Sequence, residues 1–553
     1  MSIATILTAE LIEQYTRNGQ WGDRIWPDHI DATADAAPER LAIIDAKGSL
    51  NYGELRALID HFALHLLDIG IQPEERVALQ LPNWREFLIA RFALARIGAV
   101  TVPMPIDWRQ KEVEQVLGAT EAAGIIVPFE FHGRNYMQEI ADLEGRMPTL
   151  RMRLVAGDSP SLPPGWTAMK NGLAGGAVQA DGAARLRARR PGANEVDIIV
   201  PTSGSSAAPK LVVRTPNCFL ATSRQFVEQR GHFTGADIIA GLAPITRGMG
   251  YYAGIASAVV AGSSMALLER FSPEGALQWL QTTRATIAIG VPTQLIKMLQ
   301  VADFGRYDLS ALRMVVNGGA AMPPDSAKEA EQRFGCVVLS AYGSVEGATP
   351  FCTARSDPPA KRHGTVGRIM QGMELRMARE DGSEAPVGDV GEITYRGPGL
   401  SLGFWRDPDA YRKLLNRDGW FPTGDLGVVD QDGFLTIVGR KKEIIIRGGI
   451  NISPAEVEGM IQQHPDVAQV AVVKMPDRTL GEKCCAYIVP RPGCKPTVES
   501  MAAFLDGRGV AKYKFPERIE LRNELPTTPD GGKILRRALE DDICGLLMNE
   551  GAL

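Results

Sequence analysis

The sequence predicts an α/β protein: a large N-terminal domain of several subdomains with parallel-rich sheets, followed by a small α+β domain. Three observations lead there. In the first half, helical and strand patterns alternate, as βαβ units require. After about Gly364 the pattern changes to short strands joined by tight turns. The chain of 553 residues is also too long for one core, because about 100–200 residues per domain implies three or four units. A polar break at Gly439-Arg440-Lys441-Lys442-Glu443 places the domains at 1–439 and 440–553.

Leu55, Leu58, Ile59, Phe62, Ala63 and Leu66 recur at helical spacing. Arg76–Leu81 reads as a strand. Asn83, with Glu86 three residues on, reads as the cap of a helix running through Ile97. Ala99–Pro103, Gly124–Pro128 and Asp197–Pro201 are short buried-strand candidates, and the Ala/Gly-rich stretch Gly172–Arg190 reads as a surface loop. Farther on, Gly391–Arg396 and Gly427–Val438 are strand candidates, with Asp432-Gly433 as a hairpin turn. The final unit reads as helix Pro454–Gln463, strands Val467–Met475 and Cys484–Val489, helix Val498–Leu505 and strand Arg518–Leu521.

Composition narrows the function classes. A 45% hydrophobic content supports a folded chain. A net charge of −5 gives no electrostatic reason to propose nucleic acid or an anionic membrane as partner, so an anionic small ligand must be held by local groups. The seven cysteines are odd in number and lack C-x-x-C spacing, which reads as reduced thiols without a metal site. Met1–Trp21 has no secretory pattern, and no apolar run reaches the ~20 residues that span a bilayer. A cytoplasmic protein is expected.

The segment richest in chemistry is Thr202-Ser203-Gly204-Ser205-Ser206-Ala207-Ala208-Pro209-Lys210, directly after a strand. Small hydroxyl and glycine residues there can wrap oxyanions with N–H and O–H donors, and Lys210 adds positive charge. A Walker loop fits poorly, because the Gly-Lys-Ser/Thr ending is missing. Other segments follow in order: Gly318-Gly319-Ala320-Ala321, Tyr342-Gly343-Ser344-Val345-Glu346, Gly391-Glu392-Ile393 through Gly403-Phe404-Trp405, Thr423-Gly424-Asp425, Gly439-Arg440-Lys441-Lys442, Arg447-Gly448-Gly449-Ile450-Asn451-Ile452 and Lys533.

Together, and over nearly the whole chain, these resemble the signatures of the adenylate-forming superfamily of acyl- and aryl-CoA synthetases, peptide-synthetase adenylation domains and luciferases. The resemblance implies that the Thr202–Lys210 loop, with Ser203, Gly204, Ser205 and Ser206, holds ATP phosphates. It implies that Gly318, Gly319 and Ala320 line the adenine side, that Tyr342 and Gly343 follow with the ring on adenine, and that Glu346 holds Mg²⁺. It makes Asp425 the acceptor for both ribose hydroxyls, puts Arg440 near the ribose, and makes Lys442 the pivot of a mobile C-terminal domain. Gly448 and Gly449 then line the thiol tunnel, and Lys533 is the catalytic lysine. The implied reaction joins a small carboxylic acid to AMP and then to coenzyme A, with ATP and Mg²⁺ required.

The sequence departs from the family pattern at several places. Ala207 and Leu211 replace glycines, Val345 replaces a threonine that donates to the AMP phosphate, and the loop Leu525–Lys533 is one residue longer than expected. Arg247 aligns with a histidine beside the acyl pocket, where it would meet a polar or anionic group of the acid. Asn18–Asp23 and Ala511–Glu517 carry a likeness to bacterial ligases for medium-chain, alicyclic or aromatic acids, the 2,3-dihydroxybenzoate activators among them. A freestanding enzyme that loads a carrier protein is the alternative within the class. A degenerate nucleotide-binding protein without ligase activity is the alternative outside it. A homodimer is kept open as the assembly.

Overall fold

The structure is a computed structural model that describes residues 6–157, 162–174, 176–202, 209–416, 418–448, 450–528 and 533–550. Packing sorts the chain into two compact units: Met1–His363 with Ile369–Glu374 and Arg396–Gly419, and Gly364–Arg368 with Leu375–Tyr395 and Trp420–Leu553. The second unit thus groups residues on both sides of Gly439 and Arg440, where the sequence reading places a domain boundary.

The first unit holds two parallel-rich sheets. In one, Val337–Ser344, Met314–Gly318, Ile287–Gly290, Ile238–Gly241, Ser264–Leu267 and Leu41–Asp45 lie side by side and parallel. In the other, Ile198–Thr202, Val100–Pro103, Arg76–Leu79, Gly124–Pro128 and Met152–Ala156 run parallel, and Lys210–Arg214 joins antiparallel to the first of these. Val100–Pro103 and Gly124–Pro128 are buried at every residue, which is why they read as continuous apolar runs rather than alternating ones. Parallel strands bring their C-terminal ends to one edge of a sheet, the edge where ligands bind in open α/β folds. The loops after Gly241, Gly318 and Ser344 leave one sheet there. Those after Leu79, Pro103 and Thr202 leave the other.

Two sequence expectations are corrected. The helix Arg85–Arg96 has Trp84 as its cap residue, not Asn83. The Asn83 amide has a longer-range use: Nδ2 donates to the carbonyls of Ala243 (3.3 Å) and Leu268 (3.0 Å), and Oδ1 accepts from the Ile245 N–H at 2.9 Å. It therefore pins the loop after Ile238–Gly241 to the neighbouring sheet. The stretch Gly172–Arg190 contains a helix, Ala180–Arg189. Alanine is the best helix former, and buried Leu186 gives this segment an apolar anchor.

The second unit carries a four-stranded sheet in which Phe421–Val429 pairs antiparallel with Gly391–Arg396 on one side and with Leu435–Arg440, across the expected Asp432-Gly433 turn, on the other. Its other sheet is built on the hairpin Val467–Asp477 and Gly481–Pro490, with Arg518–Leu521 parallel to the second strand. Alternate residues serve two cores. Val470, Val472, Cys484, Ala486 and Ile488 share one core with Val457, Ile461, Met501 and Leu505. Ala471, Val473, Met475, Cys485 and Tyr487 share the other with Leu539, Ile543 and Leu547. A period of two with apolar residues on both faces is what a sheet covered on both sides requires. The adjacent thiols Cys484 and Cys485 accordingly belong to opposite cores.

Candidate active site

In the first unit, the ends of the hydroxyl-rich loop are well defined. Thr202 and Lys210 face each other as a paired rung of the antiparallel ladder. Lys210 is exposed, and its Nζ stands 5.4 Å from the centroid of the Phe404 ring. Ser203, Gly204, Ser205 and Ser206, together with Ala207, lie outside the described residues. Leu211 is buried in the core of its own sheet, next to Ile199 and Val213.

Gly318 ends its strand where no side chain fits. A Cβ there would stand 2.7 Å from Met249 Sδ and 2.8 Å from the Ala341 carbonyl. Gly319 follows with φ 84°, and Ala320 is exposed. Met249 thus lies directly against the loop that opens at Gly318. It opens a π-helical turn, Met249–Ile255, of the kind that recurs at functional sites.

Tyr342 is half-buried, with its ring 5.9 Å from that of Phe351. Gly343 admits no Cβ, which would fall 1.9 Å from the Ala348 carbonyl. Beyond it, Val345–Gly347 form the turn that carries Glu346, and Ala348 closes it at φ 54°. A non-glycine residue held in that region costs of order 1–3 kcal/mol, so the surroundings must over-determine the turn. They do so through two residues that the sequence reading does not single out. Arg214 Nη1 donates to the carbonyls of Val345 (2.9 Å) and Glu346 (3.1 Å), and the Tyr252 hydroxyl donates to the Val345 carbonyl at 3.1 Å. The one signal for them is a charged residue ending the apolar strand Lys210–Arg214. The Val345 side chain packs against the cluster of Val212, Phe404 and Tyr411. Among the described residues, nothing donates a hydrogen bond to the Glu346 carboxylate.

Arg247 is 27% exposed, and its Nη2 meets both oxygens of Asp107 at 3.1 and 3.0 Å. Asp107 follows Val100–Pro103, so the pair joins the C-terminal edges of the two sheets. Behind it lies a buried network. Arg91 donates from Nη2 to Asp197 Oδ2 (2.5 Å) and from Nε to the Tyr251 hydroxyl (2.6 Å). Burial raises the Asp197 carboxyl above its usual range and pushes the Tyr251 phenol up to about 12. The network anchors the π-helical turn from which Tyr252 reaches Val345.

In the second unit, Asp425 lies on Phe421–Val429 beside the strand Leu435–Arg440. Arg440 Nε is 3.1 Å from its Oδ1, and the two residues are paired in the ladder. Lys441 Nζ donates to Glu392 Oε2 at 2.9 Å, and Gly424 N–H donates to Glu392 Oε1 at 3.2 Å. Lys442 is exposed in the following turn. Gly448 ends Ile445–Arg447 at φ 55°, with its N–H on the Leu480 carbonyl at 2.7 Å, and Gly449 lies outside the described residues. Lys533 is exposed. Its carbonyl accepts from Thr528 N–H (2.8 Å) and its N–H donates to Thr528 Oγ1 (3.1 Å), which fixes its backbone at the base of the loop whose tip, 529–532, is outside the described residues.

The chain belongs to the AMP-binding enzyme family, whose profile matches residues 30–405, with the AMP-binding enzyme C-terminal domain at residues 456–531. It is an adenylate-forming enzyme. It is 33% identical over 539 residues to the medium-chain fatty-acid–CoA ligase of Escherichia coli (strain K12), covering 96% of this chain and 94% of that one. It is 29% identical over 541 residues to the 2,3-dihydroxybenzoate-AMP ligase of Bacillus subtilis (strain 168), covering 98% and 97%. The ATP-bound MatB of Rhodopseudomonas palustris aligns with a TM-score of 0.79 at 26% identity, covering 93% of this chain and 98% of that one.

Proposed function

We propose that the chain activates a small carboxylic acid with ATP and passes the acyl group to coenzyme A. The observation that supports this most is the Glu346 carboxylate, which is presented on a fixed turn beside the adenine-side loop and engaged by no donor among the described residues. An oxygen of the substrate carboxylate attacks the α-phosphorus of ATP. The bond from that phosphorus to the bridging oxygen breaks, and pyrophosphate leaves. The CoA thiol, losing its proton, then attacks the acyl carbon and expels AMP. Two anions approach in the first step, so positive charge is needed. Lys533 supplies it at the carboxylate–phosphate junction, while Lys210 and the loop after Thr202 receive pyrophosphate.

No group of three or more His, Cys, Asp or Glu residues converges among the described residues. A lone carboxylate suits Mg²⁺, which takes one or two protein carboxylates and fills its shell with phosphate and water. Glu346 would hold it, and when bound it would neutralise charge on the phosphates. Tyr342 and Gly318–Ala320 take the adenine, and Asp425 and Arg440 the ribose. The domain 440–553 turns about Lys442 to bring Gly448 and Gly449 into use for the thiol. No helix of the described residues is long and apolar enough to cross a membrane. The free cysteines accord with a reducing compartment such as the cytoplasm.

Likeness to the E. coli medium-chain fatty-acid–CoA ligase favours CoA as acceptor. Likeness to the B. subtilis 2,3-dihydroxybenzoate-AMP ligase favours a second reading, in which the adenylate is handed to a carrier protein. Pyrophosphate release on mixing ATP with aryl, alicyclic and fatty acids, followed by addition of CoA or carrier protein, tests both. No pyrophosphate with any acid class would refute the proposal.

Arg247 is proposed to border the acyl pocket, with Asp107 fixing its guanidinium. Arg247→Ala is expected to change relative kcat/KM between acids by about tenfold to a hundredfold, the worth of one hydrogen bond to a charged group. The KM for ATP should move by less than about twofold, because the guanidinium serves the acid and not the nucleotide. An unchanged ranking of acids would return Arg247 to a purely structural pairing with Asp107.

A further inference from the structure

We propose that Arg214 and Tyr252 are positioning residues that set the direction of the Glu346 carboxylate by holding the two peptide planes on either side of its Cα. This rests on the reading of Glu346 as the metal-holding residue. The Val345 carbonyl belongs to the peptide plane before the Glu346 Cα, and the Glu346 carbonyl to the plane after it. Each peptide unit is rigid, so fixing both planes fixes φ and ψ of Glu346 and hence its Cα–Cβ bond.

Four hydrogen bonds converge on these two oxygens. The Val345 carbonyl accepts from Arg214 Nη1 at 2.9 Å and from the Tyr252 hydroxyl at 3.1 Å. The Glu346 carbonyl accepts from Arg214 Nη1 at 3.1 Å and from the Ser401 N–H at 2.5 Å. Both lone pairs of each carbonyl are therefore engaged. The carboxylate receives no such bond among the described residues. The base of the side chain is held and its head is left to a ligand.

The clamp is itself held. Arg214 is 0% exposed, and its Nη2 donates to the carbonyls of Gly399 (2.6 Å) and Cys218 (3.1 Å). Its guanidinium lies 4.5 Å from the Phe219 ring and 5.4 Å from that of Tyr252, and those rings stack on each other at 4.5 Å and 25°. A planar fork packed against a stacked pair of aromatic rings has little freedom to turn. Lysine keeps the charge but has no planar pair of nitrogens to span Val345–Glu346 on one side and Gly399–Cys218 on the other.

The test titrates Mn²⁺ into full-length protein with α,β-methylene-ATP, reads free Mn²⁺ by electron paramagnetic resonance, and records the melting temperature of each variant. Glu346→Gln is the reference and should weaken Mn²⁺ binding most. Tyr252→Phe removes one hydroxyl and keeps the ring. It is expected to raise the Mn²⁺ dissociation constant about threefold to tenfold, the worth of one hydrogen bond. Arg214→Lys should raise it more than tenfold, with the Mg²⁺ concentration for half-maximal pyrophosphate release rising in parallel. If Arg214→Lys fails to fold, Tyr252→Phe carries the test. Should Glu346→Gln weaken Mn²⁺ while both clamp variants change only the melting temperature, the clamp is overturned and the metal reading stands. Unchanged Mn²⁺ affinity in Glu346→Gln overturns the metal reading itself.

Discussion

Lys533→Ala is expected to lower pyrophosphate release from ATP and acid by about 10²–10³-fold, the usual cost of removing one group that stabilises developing transition-state charge. The same variant should largely keep thioester formation from a supplied acyl-adenylate, because the anhydride already exists and no second anion must approach. The Lys533 backbone is fixed by Thr528, Leu535 N–H donates to the Pro526 carbonyl at 2.8 Å, and the Lys533 side chain is exposed. Lys442→Pro should do the reverse. Proline fixes φ near about −65° and so restricts the turn on which the C-terminal domain would swing, which should impair thioester formation more than pyrophosphate release. Two separate assays decide the matter. Full pyrophosphate release in Lys533→Ala would mean that the longer Pro529–Gly532 loop displaces the lysine from the reaction. Equal loss of both halves in both variants would leave the pivot account without support.

Asp425→Ala should weaken ATP binding by about a hundredfold. Two ribose hydroxyls donating to one carboxylate form charge-assisted bonds, each worth about 1.5–3 kcal/mol, and about 2.7 kcal/mol corresponds to a hundredfold. The full sum is not expected, since the ribose must share the carboxylate with Arg440, 3.1 Å away. Arg440 is largely exposed and Asp425 is not, so the pair itself contributes little to stability and its loss should leave the fold intact. Calorimetry with ATP alone measures the effect. Near-normal affinity would remove Asp425 from the ribose site.

What is legible in the sequence follows from where each signal lives. The strands of the second unit are placed closely because a sheet covered on both sides leaves apolar residues at every position of Val470–Val473. The loops around Gly318 and Gly343 stand out because backbone crowding leaves only glycine there. Asn83 misleads because its local pattern fits a helix cap, whereas its partners lie 160 and 185 residues away. Arg214 and Tyr252 escape notice for a related reason. Their acceptors are main-chain carbonyls 131 and 93 residues distant, and a carbonyl leaves no mark in the residue types around it. Arg247 stands out as a departure from the family pattern, but its partner Asp107 becomes visible only when two sheet edges come together.

The rung formed by Thr202 and Lys210 bears on how this enzyme class diversifies. A segment whose two ends are locked in a ladder transmits little of its own variation to the rest of the sheet. Leu211 sits just outside that segment, where a buried side chain is tolerated because it adds to the core beside Ile199. An engineer working at this end of the sheet meets the core one position beyond Lys210, where changes at buried Leu211 would be screened first for stability.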